Sequence, residues 1–226
     1  MLFLLKKLSV FFFAFFILFN RQNCLAQSQN PTYDLYITNE SQIDSKTYQF
    51  DVYLLSTGTI PLEVANIQFG LGFDTSIANG GTLSFSYVKE SSELNARQTP
   101  LNVSLSLPNQ VAMIDGIPYR FVNQLAKPGP GMGNGTMISD KKSDCGIPGT
   151  RIGTYQLVNT FDFRTNSRCN HMFSSDIGSG RIRTIVNCYV NKMNVTAEGK
   201  KFNYNTENTC TKNIVLNPQD IPKKRL

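Results

Sequence analysis

The chain has 226 residues, 41% of them apolar and 17% charged, with a formal net charge of +6. A disordered chain is poor in apolar residues and high in net charge, and a collagen is about one-third glycine, so this composition, with 16 Gly and 10 Pro, excludes both. A coiled coil and a polytopic membrane protein are excluded as well, and the length suits one or two domains.

The first element is an address. Lys6 and Lys7 precede Leu8–Phe19, a 12-residue run that is apolar except for Ser9. A membrane-spanning helix needs about 20 apolar residues. Polar Asn20 to Asn23 follow, and Cys24-Leu25-Ala26 then places small residues at the −3 and −1 positions of a signal-peptidase site. Residues 1–26 therefore read as a signal peptide. The protein is expected to be secreted or held at the cell surface, with no stable membrane span after cleavage. Cleavage removes three basic residues and leaves 19 basic against 16 acidic. Lys223, Lys224 and Arg225 account for that excess, so the body is near neutral and no nucleic-acid partner is expected.

From Tyr33 onward the dominant period is two. Tyr33, Leu35 and Ile37 alternate with polar or aromatic neighbours, as do Tyr48, Phe50, Val52 and Leu54. Ala65, Ile67, Phe69, Leu71 and Phe73 form the cleanest run. Leu83–Tyr87, Val103–Leu105, Val111–Met113, Tyr119–Val122, Thr136–Ile138, Ile152–Val158, Phe161–Phe163, Thr184–Val190, Met193–Ala197 and Ile214–Leu216 are further short candidates. Turn residues separate them at Asn79-Gly80-Gly81, Asp115-Gly116, Gly146-Ile147-Pro148-Gly149 and Ala197-Glu198-Gly199-Lys200. No window holds a helical period beyond about two turns. Many short strands without helical crossovers predict an all-β fold, an antiparallel two-sheet β-sandwich over residues 27–216, with a short basic tail at 217–226.

After cleavage four cysteines remain, Cys145, Cys169, Cys188 and Cys210, at separations of 24, 19 and 22 residues. Zinc sites need pairs two to four residues apart, so no metal or other cofactor is expected, even with the single histidine, His171, close to Cys169. In an exported protein these four read as two disulfides, with three pairings open.

Catalytic patterns are sparse. Pro128-Gly129-Pro130-Gly131-Met132-Gly133-Asn134-Gly135-Thr136 is glycine-rich, but it lacks the closing lysine and following helix of a phosphate-binding loop and reads as a surface loop. Asp140 with Asp144 and Glu90 with Glu93 are the acid pairs that a glycoside hydrolase would require, and both read as solvated loop acids. A serine triad would depend on His171, and no Gly-x-Ser-x-Gly elbow is present. There is no Trp to stack on a sugar, but there are nine Tyr. Tyr36 and Tyr53 fall on the strand face opposite the main apolar set, which makes them the candidate ligand-binding residues, against the alternative that they are partly buried sandwich residues.

Five runs carry a family resemblance: Tyr48–Gly58, Leu62–Gly70, Asn79–Thr82, Pro128–Ser139 and Gly149–Thr160. Together they resemble the N-terminal extracellular domains of secreted Bacteroidota surface proteins, which often end in a type IX secretion sorting domain. The likeness spans roughly residues 31–216. The second run also resembles the early strands of cohesin modules, with Phe73-Asp74 in the place of a Tyr/Phe-Asp pair. The resemblance implies a jelly-roll, cohesin-like sandwich that binds polysaccharide or a surface protein in adhesion or scaffolding, without catalysis. It also leads one to expect a long continuation after Ile214–Pro218, where eight residues follow. The alternative readings are a structural spacer domain of a truncated multidomain surface protein and, third, a glycoside hydrolase.

Overall fold

Alternation of core-facing and outward side chains builds the strands. The computed structural model describes residues 30–101, 104–105, 110–141, 149–163, 171–174 and 181–202. In chain order the strands are β1 (Thr32–Asp44), β2 (Thr47–Ser56), β3 (Glu63–Asp74), β4 (Leu83–Tyr87), β5 (Ser104–Leu105), β6 (Ala112–Ile114), β7 (Ile117–Leu125), β8 (Thr136–Met137), β9 (Thr150–Asn159), β10 (His171–Phe173), β11 (Ile185–Val190), β12 (Met193–Thr196) and β13 (Glu198–Phe202). Two sheets result. The first has the order β13-β1-β2-β9-β4. The second runs β12-β11-β3-β7-β5, with β10 and β8 also pairing with β3 and β6 with β7. The expected all-β two-sheet sandwich is the observed fold.

The core lies between the inward faces. Leu35, Phe50, Val52 and Leu54 from the first sheet and Phe69, Leu71, Phe73 and Val186 from the second are fully buried there. Rings join the layers. Tyr155 stacks on Phe85 at 5.3 Å between centroids and meets Phe69 edge-on at 5.7 Å. Phe50 touches Tyr48, Phe73, Phe85 and Tyr155, at centroid separations of 5.7 to 6.1 Å. Each such pair adds about 0.5–1.5 kcal/mol beyond its buried area.

Turn chemistry sets two hairpins. Asp115 and Gly116, at φ 51° and 78°, join β6 to β7, in the left-handed geometry that suits a two-residue hairpin. Asn191 and Lys192, at φ 48° and 66°, join β11 to β12 in the same way, without a glycine.

The structure corrects two expectations. Ala197–Lys200 is not a turn: Glu198 opens β13, which pairs with β1. That pair is parallel, whereas the other strand pairs among the described residues are antiparallel. The chain leaves β12 in the second sheet and enters the first through buried Ala197, whose N–H donates to Val186 O while Glu198 N–H donates to Pro31 O. Phe161–Phe163 forms no strand; Phe163 N–H donates to Ser45 O, burying its ring and leaving Phe161 exposed. The candidate strand Ile214–Leu216, the signal peptide and the basic tail lie outside the described residues.

Candidate functional site

Two outward faces remain once the core is filled, and tyrosines mark both. On the first sheet, outward residues of β1, β2 and β9 form two rows in register, Tyr36–Tyr53–Arg151 and Thr38–Asp51–Thr154. The Tyr36 and Tyr53 rings stack at 6.2 Å with an 11° interplanar angle. With Leu55 they make a small hydrophobic cluster separate from the main core. Alternation therefore places both tyrosines on the non-core face, as the sequence indicates. They are nonetheless buried, at 4% and 8% exposure, so their rings offer no open stacking surface. Burial pushes both phenols above their ordinary value, Tyr36 further through its neighbours Tyr53 and Asp34.

Polar groups beside the pair are tied into the same layer. Buried Asp51 accepts from Thr154 Oγ1 at 2.5 Å and from Asn39 Nδ2 at 2.8 Å. Arg151 lies 3.8 Å from Asp51 and 3.9 Å from Glu93, and its backbone N–H donates to Glu93 Oε2 at 2.8 Å. Ser91 Oγ accepts from Thr154 N–H. Glu93 is thus a tether of the 88–93 segment to β9. Glu90, its proposed acid partner, sits exposed at φ 65° and has no part in that tether. Asp140 is exposed, and Asp144 lies outside the described residues.

The outer face of the second sheet differs. Val186 and Cys188 point into the core, so Ile185, Asn187 and Tyr189 of β11 point outward. Asn66 of β3 and Thr196 of β12 stand opposite Asn187 on either side, and Asn194 stands opposite Tyr189. A bulge at this level of β3 keeps Val64 in the core. Asn187 Nδ2 donates to Asn66 Oδ1 at 2.8 Å, and Thr196 Oγ1 donates to Asn187 Oδ1 at 2.9 Å. The amide row is therefore oriented across three strands while Asn194 and Thr196 remain exposed. Tyr189 O–H donates to Gly129 O at 3.3 Å.

Gly129 opens the glycine-rich loop, which connects β7 to β8 and is held to β3. Gly129 N–H donates to Ala65 O, and Gly135 N–H to Glu63 Oε1 at 2.8 Å. Fully buried Gln98 donates to Val64 O and accepts from both Thr136 N–H and Thr136 Oγ1. The surface-loop reading of this segment matches its place between two strands.

Of the cysteines, Cys188 is a buried free thiol in β11, where the sequence pattern expects a disulfide half; its Sγ lies 3.6 Å from Val195 O. Its inward position between Val186 and Val190 places it in the core, and burial pushes the thiol up to about 11. Cys145, Cys169 and Cys210 lie outside the described residues. His171 is in β10, opposite Phe73. Among the described residues, no group of three His, Cys, Asp or Glu could hold a metal ion, and no helix is long and apolar enough to cross a membrane.

Tyr189 is the residue that sequence reasoning passed over. Its signal was present: Ile185, Asn187 and Tyr189 alternate with Val186, Cys188 and Val190. What periodicity did not show is which tyrosines the folded chain leaves accessible.

No protein-family model and no curated protein matches the chain. Among solved structures it is similar to the seventh ScaB type I cohesin of Pseudobacteroides cellulosolvens, at 8% identity and a TM-score of 0.42, over 76% of this chain and 88% of that one. It is also similar to the sixth cohesin of Acetivibrio cellulolyticus scaffoldin B, solved in complex with a mutant Cel5 dockerin, at 12% identity and a TM-score of 0.40, over 76% and 97% of the two chains. Endoglucanase CelQ of Clostridium thermocellum, complexed with cellotriose, matches at 9% identity and a TM-score of 0.33, over 77% of this chain and 26% of that one. The functional reading of this chain rests on its own side chains.

Proposed function

We propose that the protein is a non-catalytic extracellular binding module that acts in adhesion or scaffolding, with a polysaccharide or a surface protein as its partner. One observation carries this reading: the outer face of the second sheet across β12, β11 and β3 presents oriented polar side chains beside a partly exposed tyrosine. A rigid sandwich carrying a broad sheet face suits recognition of an extended partner, since a protein interface takes about 800 Å² per side. Export by the leader at residues 1–26 is part of the same proposal.

A binding screen tests it. The purified chain is mixed with insoluble polysaccharides and, separately, with surface-protein extracts fractionated by size, and depletion from solution is measured. Saturable depletion by one polymer or one fraction supports a binding module. A folded chain that stays in solution in every arm overturns it in favour of the spacer reading.

A further inference from the structure

We propose that Tyr189 and the amide row Asn66–Asn187–Thr196 form a glycan subsite on the outer face of the second sheet, and that its ligand is a neutral polysaccharide. The inference deepens the binding-module reading and rests on it. Tyr189 springs from β11, yet its hydroxyl reaches Gly129, which is bonded to the opposite edge of β3. Neighbouring strands lie about 4.8 Å apart, so a tyrosine that spans β3 must lie along the sheet rather than stand away from it. The ring then lies low over β3 and stays half-exposed. A flat ring in that attitude matches the apolar face of a pyranose.

The amides supply the polar half of the recognition. A sugar hydroxyl both donates and accepts, and a primary amide offers two donors and an acceptor. The bonds from Thr196 to Asn187 and from Asn187 to Asn66 hold these side chains in one orientation, so the donors left for a ligand are those of Asn66 Nδ2 and the second Asn187 N–H. Little side-chain freedom is then lost on binding. Asn194, exposed and opposite Tyr189, extends the polar row at the ring. The five side chains carry no charge, and buried Glu63 is occupied by Gly135 N–H. A row without cationic side chains, beside a buried carboxylate, fits a neutral polyhydroxylated chain rather than a polyanion.

The test uses the whole chain with swollen cellulose, insoluble xylan, mannan and chitin as probes. Depletion isotherms are measured for the unsubstituted chain, Tyr189→Ala, Tyr189→Phe and Asn187→Ala, each checked for folding by its thermal transition. The expected result is binding to at least one polymer, weakened roughly tenfold or more by Tyr189→Ala and several-fold by Asn187→Ala, with Tyr189→Phe close to the unsubstituted chain because the ring is kept. If Tyr189→Ala does not fold, Tyr189→Ser and Asn187→Ala carry the test. Binding unchanged in folded Tyr189→Ala and Asn187→Ala overturns this subsite and leaves the module reading in place. No depletion of the unsubstituted chain by any of the four polymers overturns the glycan ligand, and the module reading then stands or falls on the protein arm of the screen.

Discussion

The two outward sheet faces show how one residue type takes opposite roles. On the first sheet Tyr36 and Tyr53 stack on each other, and the carboxylate of Asp51 gathers Thr154, Asn39 and Arg151 beside them, so the layer is closed. On the second sheet Tyr189 has no ring partner of that kind among the described residues; it bonds a loop carbonyl through its hydroxyl, and its neighbours are the half-buried Asn66 and Asn187 and the exposed Asn194 and Thr196. Strand alternation puts all three tyrosines on non-core faces. Cross-strand neighbours decide which stay open.

The comparison depends first on the shared core. Phe50→Ala removes a ring that meets four others, and should cost about 3–5 kcal/mol in urea unfolding, taking both faces with it. A loss below about 1 kcal/mol would mean that the sheets are not joined there.

Gly70→Ala strikes the second sheet alone. A Cβ at Gly70 would fall 1.6 Å from Ile182 O, so the 181–184 segment lying over β3 must move. A loss of about 1–3 kcal/mol is expected, with hydrogen exchange rising in β10 and β11 before β1 and β2. Uniform exchange over both sheets would contradict that local account.

A matched pair sharpens the contrast between the faces. Asp51→Ala leaves Thr154 and Asn39 without their buried acceptor and should lower stability by about 1–3 kcal/mol. Asn187→Ala, on the half-exposed face where water can replace its two bonds, should cost less, about 1 kcal/mol or under. Equal losses in the two variants would erase the distinction.

The smallest expected effect is on pH dependence. The Cys188 thiol is raised to about 11 by burial, against about 8.5 in an unfolded chain. The folded state then holds a proton that the unfolded state releases, so this contribution is fully present below about pH 8.5 and is lost as pH rises toward 11. The urea midpoint should fall over that interval and fall less in Cys188→Ala. Alkylation without reductant should label Cys188 only after unfolding; failure to label it even then would show it oxidised in a disulfide.

Much of the fold was legible because it is written in local alternation. β2, β3, β4, β9 and β11 each repeat buried and outward residues at period two, and Asp115-Gly116 is a two-residue turn by composition. β13 was not legible: Glu198-Gly199-Lys200 has turn composition, and its strand exists because Ala197 delivers it to the open edge of β1. The Asn191-Lys192 turn has no glycine to announce it. For the candidate site, the sequence placed Tyr36 and Tyr53 on the correct face without revealing their burial. That burial depends on pairing between β1, β2 and β9, far apart in the chain. The amide row joins residues 66, 187 and 196 and exists only through register.

Tyrosine nitration of the folded chain, mapped by peptide mass spectrometry, tests the difference between the faces most directly. The account predicts that tetranitromethane modifies Tyr189 in the native state and reaches Tyr36 and Tyr53 only after unfolding. Nitration of Tyr36 or Tyr53 in the folded chain at the rate of Tyr189 would contradict it.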